Sequence, residues 1–375
     1  MASIVNVAHA EPAKLRGVWV ATVLNIDWPS AEGLAIDAQK AEFVALLDHY
    51  QKLQFNAVFV QIRAAGDALY PSKLAPLARS LSGTEGSTPT EDLLAWMIAQ
   101  SHQRGIAFHA WMNPYRASMG KGNHANNHIS RQRPDWIVDY GGKQYLNPGL
   151  PEVRTHLLAV IDEVLQRYPI DGLQFDDYFY PYPEGNSPFD DAEAFKRYAQ
   201  SGESLGDWRR RNTTQFVYDV KRLVQTRRPK ALFGVSPFGV WRNQSKDPRG
   251  SATKASRTSY DDLYADVKLW AERGWIDYVA PQIYWSTQHK TANYTALLDW
   301  WQNNHGRAHL LIGHAGYKVK NDGDRTWEDP NELPRQIQLA RGSAQVAGHL
   351  IYNATSLKNR HPQILAEAAR AMLGQ

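Results

Sequence analysis

No cysteine occurs among the 375 residues. Disulfides and thiolate metal centres are therefore excluded, an absence compatible with an exported protein. No apolar run approaches the roughly 20 residues that a membrane-spanning helix needs. Basic blocks are missing too: 42 Lys and Arg stand against 38 Asp and Glu, for a formal charge of +4. The short clusters Arg209 to Arg211 and Arg227 to Lys230 read as solvated helix faces, so nucleic acid is not an expected partner. Glycine-rich phosphate turns, the zinc-binding HExxH helix and the GxSxG nucleophile elbow are all absent. His124 and His128 have i,i+4 spacing, but they sit in an Asn/Gly-rich stretch with no neighbouring acid, which argues against a metal site. Nothing calls for a cofactor.

What is abundant is aromatic: 13 Trp and 18 Tyr in a chain that is 43% hydrophobic. Trp19, Trp111, Trp241 and Trp285 fall near the ends of predicted strands, and Trp28 and Trp136 fall in loops. Part of this set belongs to the core. The rest suits a sugar-stacking cleft, because apolar pyranose C–H faces lie well on indole and phenol rings.

Apolar β-branched runs alternate with longer amphipathic segments. Strands are predicted at 15–22, 55–62, 106–113, 172–177, 232–238, 278–285, 309–317 and 348–355, with a helical pattern after each. Pro151 and Pro362 suit first helical turns, and Gly105 and Gly274 suit helix ends. Eight such units without a long linker predict a (β/α)₈ barrel of the TIM type. A doubly wound sheet is the alternative, but it would want the missing glycine-rich turn. The expected division is a residual export segment at 1–14, where "AHA" before Glu11 resembles a signal-peptidase site, and a single (β/α)₈ catalytic domain at 15–375. Two long connections follow the third and fourth strands, at 114–150 and 179–206. Both are βα loops, which build the active-site face of such barrels.

The stretch DGLQFDDYFY, 171–180, begins as a strand and ends in two acids and tyrosines. Alternation puts Leu173 and Phe175 toward the helices, and Gln174 and Asp176 toward the barrel lumen. Asp177 lies past the last regular pair, and Asp171 sits at the opposite end, where it suits a turn. The same test gathers Gln61 and Arg63 on one face of the second strand, His109, Trp111 and Asn113 on the third, and Gln282 and Tyr284 on the sixth. The fifth strand supplies Ser236, followed by Trp241, and the seventh supplies His314 or Tyr317. His109 alone reads equally as a core histidine. Together these groups predict a polar, aromatic rim at the strand C-termini.

Carboxylates in such a groove are the parts of a glycosidase. One stabilises or attacks the oxocarbenium-like centre, and a second, held protonated, gives a proton to the leaving oxygen. Asp176 suits the first role. For the second, Asp177 is preferred for proximity, with Asp27, Asp67, Glu184, Asp322 and Asp324 as loop alternatives. Arg63 is expected to hold a carboxylate ionised, to bind a substrate carboxyl group, or to pair with Asp67.

The motifs LRGVWVATVLNIDWPS (15–30), FNAVFVQIRAAGDALYPS (55–72), GIAFHAWMNPYRAS (105–118), DGLQFDDYFYPYP (171–183), FGVSPFGVWRN (233–243) and DYVAPQIYW (277–285) resemble glycoside-hydrolase-like family ten. The likeness implies a (β/α)₈ barrel, a periplasmic or cell-envelope location, and hydrolysis of β-1,4-linked N-acetylated amino-sugar polymers. Peptidoglycan strands already stripped of stem peptides by amidases are the implied substrate. Carried over by motif, Asp176 and Asp177 are the acidic pair, and Arg63, Trp111, Asn113, Tyr115, Tyr178, Trp241, Gln282, Tyr284 and Trp285 line the cleft. The fourth strand matches the chitinase-type DGxDxDxE pattern only in part. Gln174 replaces its second Asp and Tyr178 replaces its Glu, so that Glu is not available as proton donor.

Overall fold

The computed structural model describes residues 14–120 and 122–375. The expected export segment lies, but for its last residue, outside them. Eight parallel strands close into a barrel: β1 (Leu15–Val20), β2 (Ala57–Arg63), β3 (Ala107–Met112), β4 (Gly172–Phe175), β5 (Leu232–Val235), β6 (Tyr278–Val279), β7 (His309–Ala315) and β8 (Val346–Tyr352). Each pairs with the next, and β8 closes onto β1 through Leu15–Gly348 and the pairs that follow. The main outer helices are α1 (Ile36–Lys52), α2 (Leu93–Gln103), α3 (Pro151–Arg167), α4 (Leu205–Arg227), α5 (Val267–Glu272), α6 (Tyr294–Asn304), α7 (Glu332–Arg341) and α8 (Pro362–Leu373). This is a (β/α)₈ barrel.

Period-two alternation decides what each strand buries. Val18 and Val20 of β1, Val58, Val60 and Ile62 of β2, and Leu173 and Phe175 of β4 join the large cluster between barrel and helices. Trp19, Phe59, Trp111, Tyr278, Leu311 and Leu350 form a separate cluster filling the lumen. Such large lumen residues need small neighbours. A Cβ on Gly172 would lie 2.2 Å from the His109 ring, and one on Gly234 would lie 2.1 Å from Tyr278.

Two elements fall furthest short of the length that the sequence predicts. The helix expected over 260–273 is reduced to α5, because Tyr264 has φ +52° and the Asp266 side chain caps the helix start at Leu269 N. The sixth strand stops at Val279 because Pro281 has no N–H for the ladder. Beyond it, Gln282 keeps single bridges to Phe238 and Gly313. The long connection after β3 is not structureless. It folds into a three-stranded antiparallel sheet of Arg116–Ser118, Ile137–Tyr140 and Lys143–Leu146 beside the barrel mouth.

Candidate active site

Regular pairing ends at Phe175, so alternation stops governing the next two residues. The chain bends there: Tyr178 N donates to Asp176 Oδ1 at 3.1 Å, and Phe179 N to the Asp177 carbonyl at 3.1 Å. Both acids consequently face one cavity of about 400 Å³ at the C-terminal mouth of the barrel. They are the only carboxylates lining it among the described residues.

Every partner of Asp176 donates. Oδ2 accepts from Trp111 Nε1 at 3.2 Å and from Asn113 Nδ2 at 2.5 Å, and Oδ1 accepts the Tyr178 amide. The orientation of Asn113 is dictated from behind. Backbone N–H groups of Thr22 and Val23 reach Gln61 Oε1 at 3.0 and 2.9 Å, so the Gln61 amide nitrogen must donate outward. It donates to Asn113 Oδ1 at 2.6 Å, which turns the Asn113 NH₂ onto Asp176. A chain of forced directions thus runs from two main-chain amides to the carboxylate.

Asp177 has different company. Gln282 Nε2 donates to its Oδ1 at 3.1 Å, and the Tyr182 hydroxyl contacts Oδ2. A phenol both donates and accepts, so the Tyr182 oxygen can also accept a hydrogen bond from a protonated Asp177. Burial pushes both carboxyls above the ordinary carboxylate range. The negative charge of Asp177 adds to burial in raising Asp176 to about 7, and the Arg116 guanidinium partly opposes the shift. Two acids this strongly coupled lose their protons in two steps that belong to the pair. Burial and the mutual repulsion of the two charges both favour keeping a proton on the pair.

The walls are aromatic. Tyr284 stacks on Tyr352 at 6.1 Å and 21°, and Tyr317 stands edge-on to both at 5.9 and 5.7 Å. Phe238 meets Trp285 edge-on at 5.2 Å, and Tyr178 meets Tyr182 at 5.4 Å. Trp19, Trp111, Gln61, Ser236, Arg116 and Lys318 complete the lining.

Of the eleven residues that the resemblance carries over, Asp176, Asp177, Trp111, Tyr178, Gln282, Tyr284 and Trp285 come together at this cavity, with Asn113 directly beneath. Three do not. The register slips between Gln61 and Arg63 against β3, and this bulge sends Arg63 outward, among Met112, Leu157, Val160 and Ile161. There its Nη1 donates to the carbonyls of Asn113 and Pro114, and its charge faces Asp67. Tyr115 is buried against Phe216 of α4, 5.3 Å away. Trp241 is wedged against Trp300 at 5.8 Å and donates to Asp266. None of the alternative acids reaches the cavity. Asp27 bridges Ala21 N and Thr355, Asp324 accepts from Ser286, and Asp322 pairs with Lys318. Asp67 and Glu184 also lie outside the lining.

Arg116, Tyr182, Phe238, Lys318 and Tyr352 were not singled out. Phe238 and Tyr352 end or nearly end predicted strands, a signal that was available. Arg116 and Tyr182 belong to the two long loops, where no periodicity points to them. His109 stacks on Phe59 at 4.3 Å, and His314 contacts His349 at 3.2 Å, both buried below the cavity.

A second cavity of about 300 Å³ opens beside the first. It corrects the view that His124 and His128 have no acid nearby: Glu85 Oε2 lies 2.9 Å from His124 Nδ1. The two imidazoles are stacked, 4.0 Å apart and 13° from parallel. One ligand atom from each of Glu85, His124 and His128 lies within 4.8 Å of the others, and His128 Nδ1 already accepts from Ser130 N.

Comparison with known proteins agrees with this architecture. The family model described as Glycosyl hydrolase-like 10 matches residues 14–329. The chain is 44% identical over 370 residues to the glycosyl hydrolase YngK of Bacillus subtilis (strain 168), covering 96% of this chain and 72% of that protein. It is 37% identical over 377 residues to the glycosyl hydrolase DigH of Escherichia coli (strain K12), covering 93% of this chain and 85% of that one. In fold it is similar to the PgaB (BpsB) glycoside hydrolase domain from Bordetella bronchiseptica, with TM-score 0.61 at 15% identity over 96% of this chain and 99% of that one. The chain belongs to the glycosyl hydrolase-like 10 family and is a glycoside hydrolase.

Proposed function

We propose that this glycoside hydrolase cleaves β-1,4 linkages in peptidoglycan glycan strands that have lost their stem peptides. The observation that carries the proposal is the pair Asp176–Asp177, the only carboxylates among the described residues to line an aromatic-walled groove, both raised by burial. The reading divides the labour by hydrogen bonding. Asp176 meets only donors, which favour its ionised form against the burial and the Asp177 charge that raise it, so on this reading it is the anion and faces the positive charge that develops on the sugar ring. Asp177 meets an amphoteric phenol, so it carries the shared proton and delivers it to the leaving oxygen. Tyrosine and tryptophan faces carry the pyranose rings along the groove.

On this reading the enzyme works outside the cytoplasm on the cell envelope, downstream of amidases that strip the peptides. The test is mass spectrometry of products from peptide-free strands, peptide-bearing strands and chitin oligomers. Hydrated reducing-end fragments from the peptide-free strands, absent with Asp176→Asn, are expected. Anhydro-sugar ends would replace hydrolysis with a lytic reaction, and cleavage of chitin oligomers alone would move the substrate elsewhere.

A further inference from the structure

Two cations line the active-site cavity, and they differ. Lys318 is paired with Asp322 at 3.0 Å. Arg116 makes no ion pair among the described residues. Its residue is only 6% exposed. Nη1 donates to the Ala64 carbonyl at 3.2 Å, the guanidinium lies over the Tyr178 ring at 4.4 Å, and Nε is buried with no acceptor. A guanidinium withdrawn from water with unused N–H groups is costly unless an anion meets it. The fork geometry matches a carboxylate, bound through two parallel N–H groups. The ring beneath fixes the plane of the fork, so little ordering remains when a ligand arrives.

We propose that Arg116 binds the free lactyl carboxylate of a muramyl residue and thereby selects strands without stem peptides. The inference rests on the reading of peptidoglycan as substrate. In a peptide-bearing strand that carboxyl is a neutral amide, which offers the guanidinium no charge. In an unsubstituted N-acetylglucosamine polymer the group is missing. Removal of the peptide thus creates an anion that Arg116 can pair with directly, whereas Asp176 and Asp177 act on it only through space, and the selectivity follows from charge as well as from steric room. Arg116 enters from the small sheet after β3, through Arg116–Tyr145 pairing, so the selecting group sits on the loop layer and the acids on the barrel.

The test compares peptide-free strands with the same strands whose lactyl carboxyls have been converted to carboxamides. The native enzyme is expected to show a KM lower for the free acid by about ten- to hundred-fold, the range of a charge-assisted hydrogen bond. Arg116→Gln is expected to raise KM on the free acid more than on the carboxamide, so that the ratio of the two KM values falls toward one whatever loss both substrates share through the acid pair. Arg116→Lys, which keeps charge but loses the fork, should fall between. Equal KM values for the two substrates with native enzyme overturn the inference and leave the substrate reading intact. Equal losses on both substrates with Arg116→Gln, accompanied by a shifted pH profile, also overturn it, because Arg116 would then act on the acid pair alone. Failure of native enzyme to cleave either strand removes the substrate reading and this inference with it. Calorimetric binding of muramic-acid oligomers to the Asp176→Asn protein, with and without Arg116→Gln, reads the same contact without turnover.

Discussion

Two cavities share the C-terminal side of the barrel, and their polar groups are used in opposite ways. In the smaller one every titratable group has found a local partner: Glu85 meets His124 and the Ala125 amide, His128 caps Ser130, and Asp67 faces Arg63. In the larger one two carboxyls sit side by side at the tip of β4, one ringed by fixed donors and the other by a reversible one. Groups that neutralise one another hold a loop in place. Like charges pressed together and left facing a void keep a proton that can be given away.

The largest effect expected on breaking this contrast is at Asp176. Asp176→Asn removes the anion and puts an amide NH₂ among donors, so kcat should fall by about 10³-fold or more on every substrate, read by reducing-end assay. Next comes pH. The active form is the singly protonated pair, so kcat/KM should fall below the first step, where Asp176 is neutral, and fall again as pH rises through the second step, raised above the ordinary carboxylate range, where the last proton leaves. Asp177→Asn leaves no second carboxyl to compete for the charge, so the Asp176 carboxyl should titrate lower, visible by carboxyl NMR. Asn113→Ala should cost roughly ten-fold in kcat, because one donor to the anion is lost while the pair stays in place. At the small end, Trp241→Phe and Glu85→Gln should each lower stability by about 1 kcal/mol in thermal unfolding. Both should leave kcat/KM on glycan unchanged, since neither residue reaches the larger cavity.

The sequence carried the barrel well, because eight apolar runs and eight amphipathic segments repeat a pattern that packing preserves. It also carried those site residues that sit on regular strand positions, such as Gln61, Trp111 and Asn113. Arg63 broke the pattern because one bulged position flips everything after it, and no residue type marks that slip in advance. Tyr115 and Trp241 lie past their strand ends, where the direction of a side chain depends on helices distant in the chain. Asp177 and the neighbours Tyr284 and Trp285 show the converse: once pairing ends, adjacent residues can share a cavity. Arg116 was hidden because its place is fixed by a small sheet that the long loop forms only with itself.

The division of labour within the pair is tested most directly by leaving-group dependence. Asp176→Asn and Asp177→Asn should be assayed on the native glycan and on aryl glycosides of the same sugars with leaving groups of falling pKa. A leaving group that needs no proton should restore turnover to Asp177→Asn by about 10²-fold or more and flatten the loss of rate above neutral pH, while Asp176→Asn stays inactive throughout. Recovery of Asp176→Asn in place of Asp177→Asn would contradict the account, because the proton donor would then be the residue surrounded by donors.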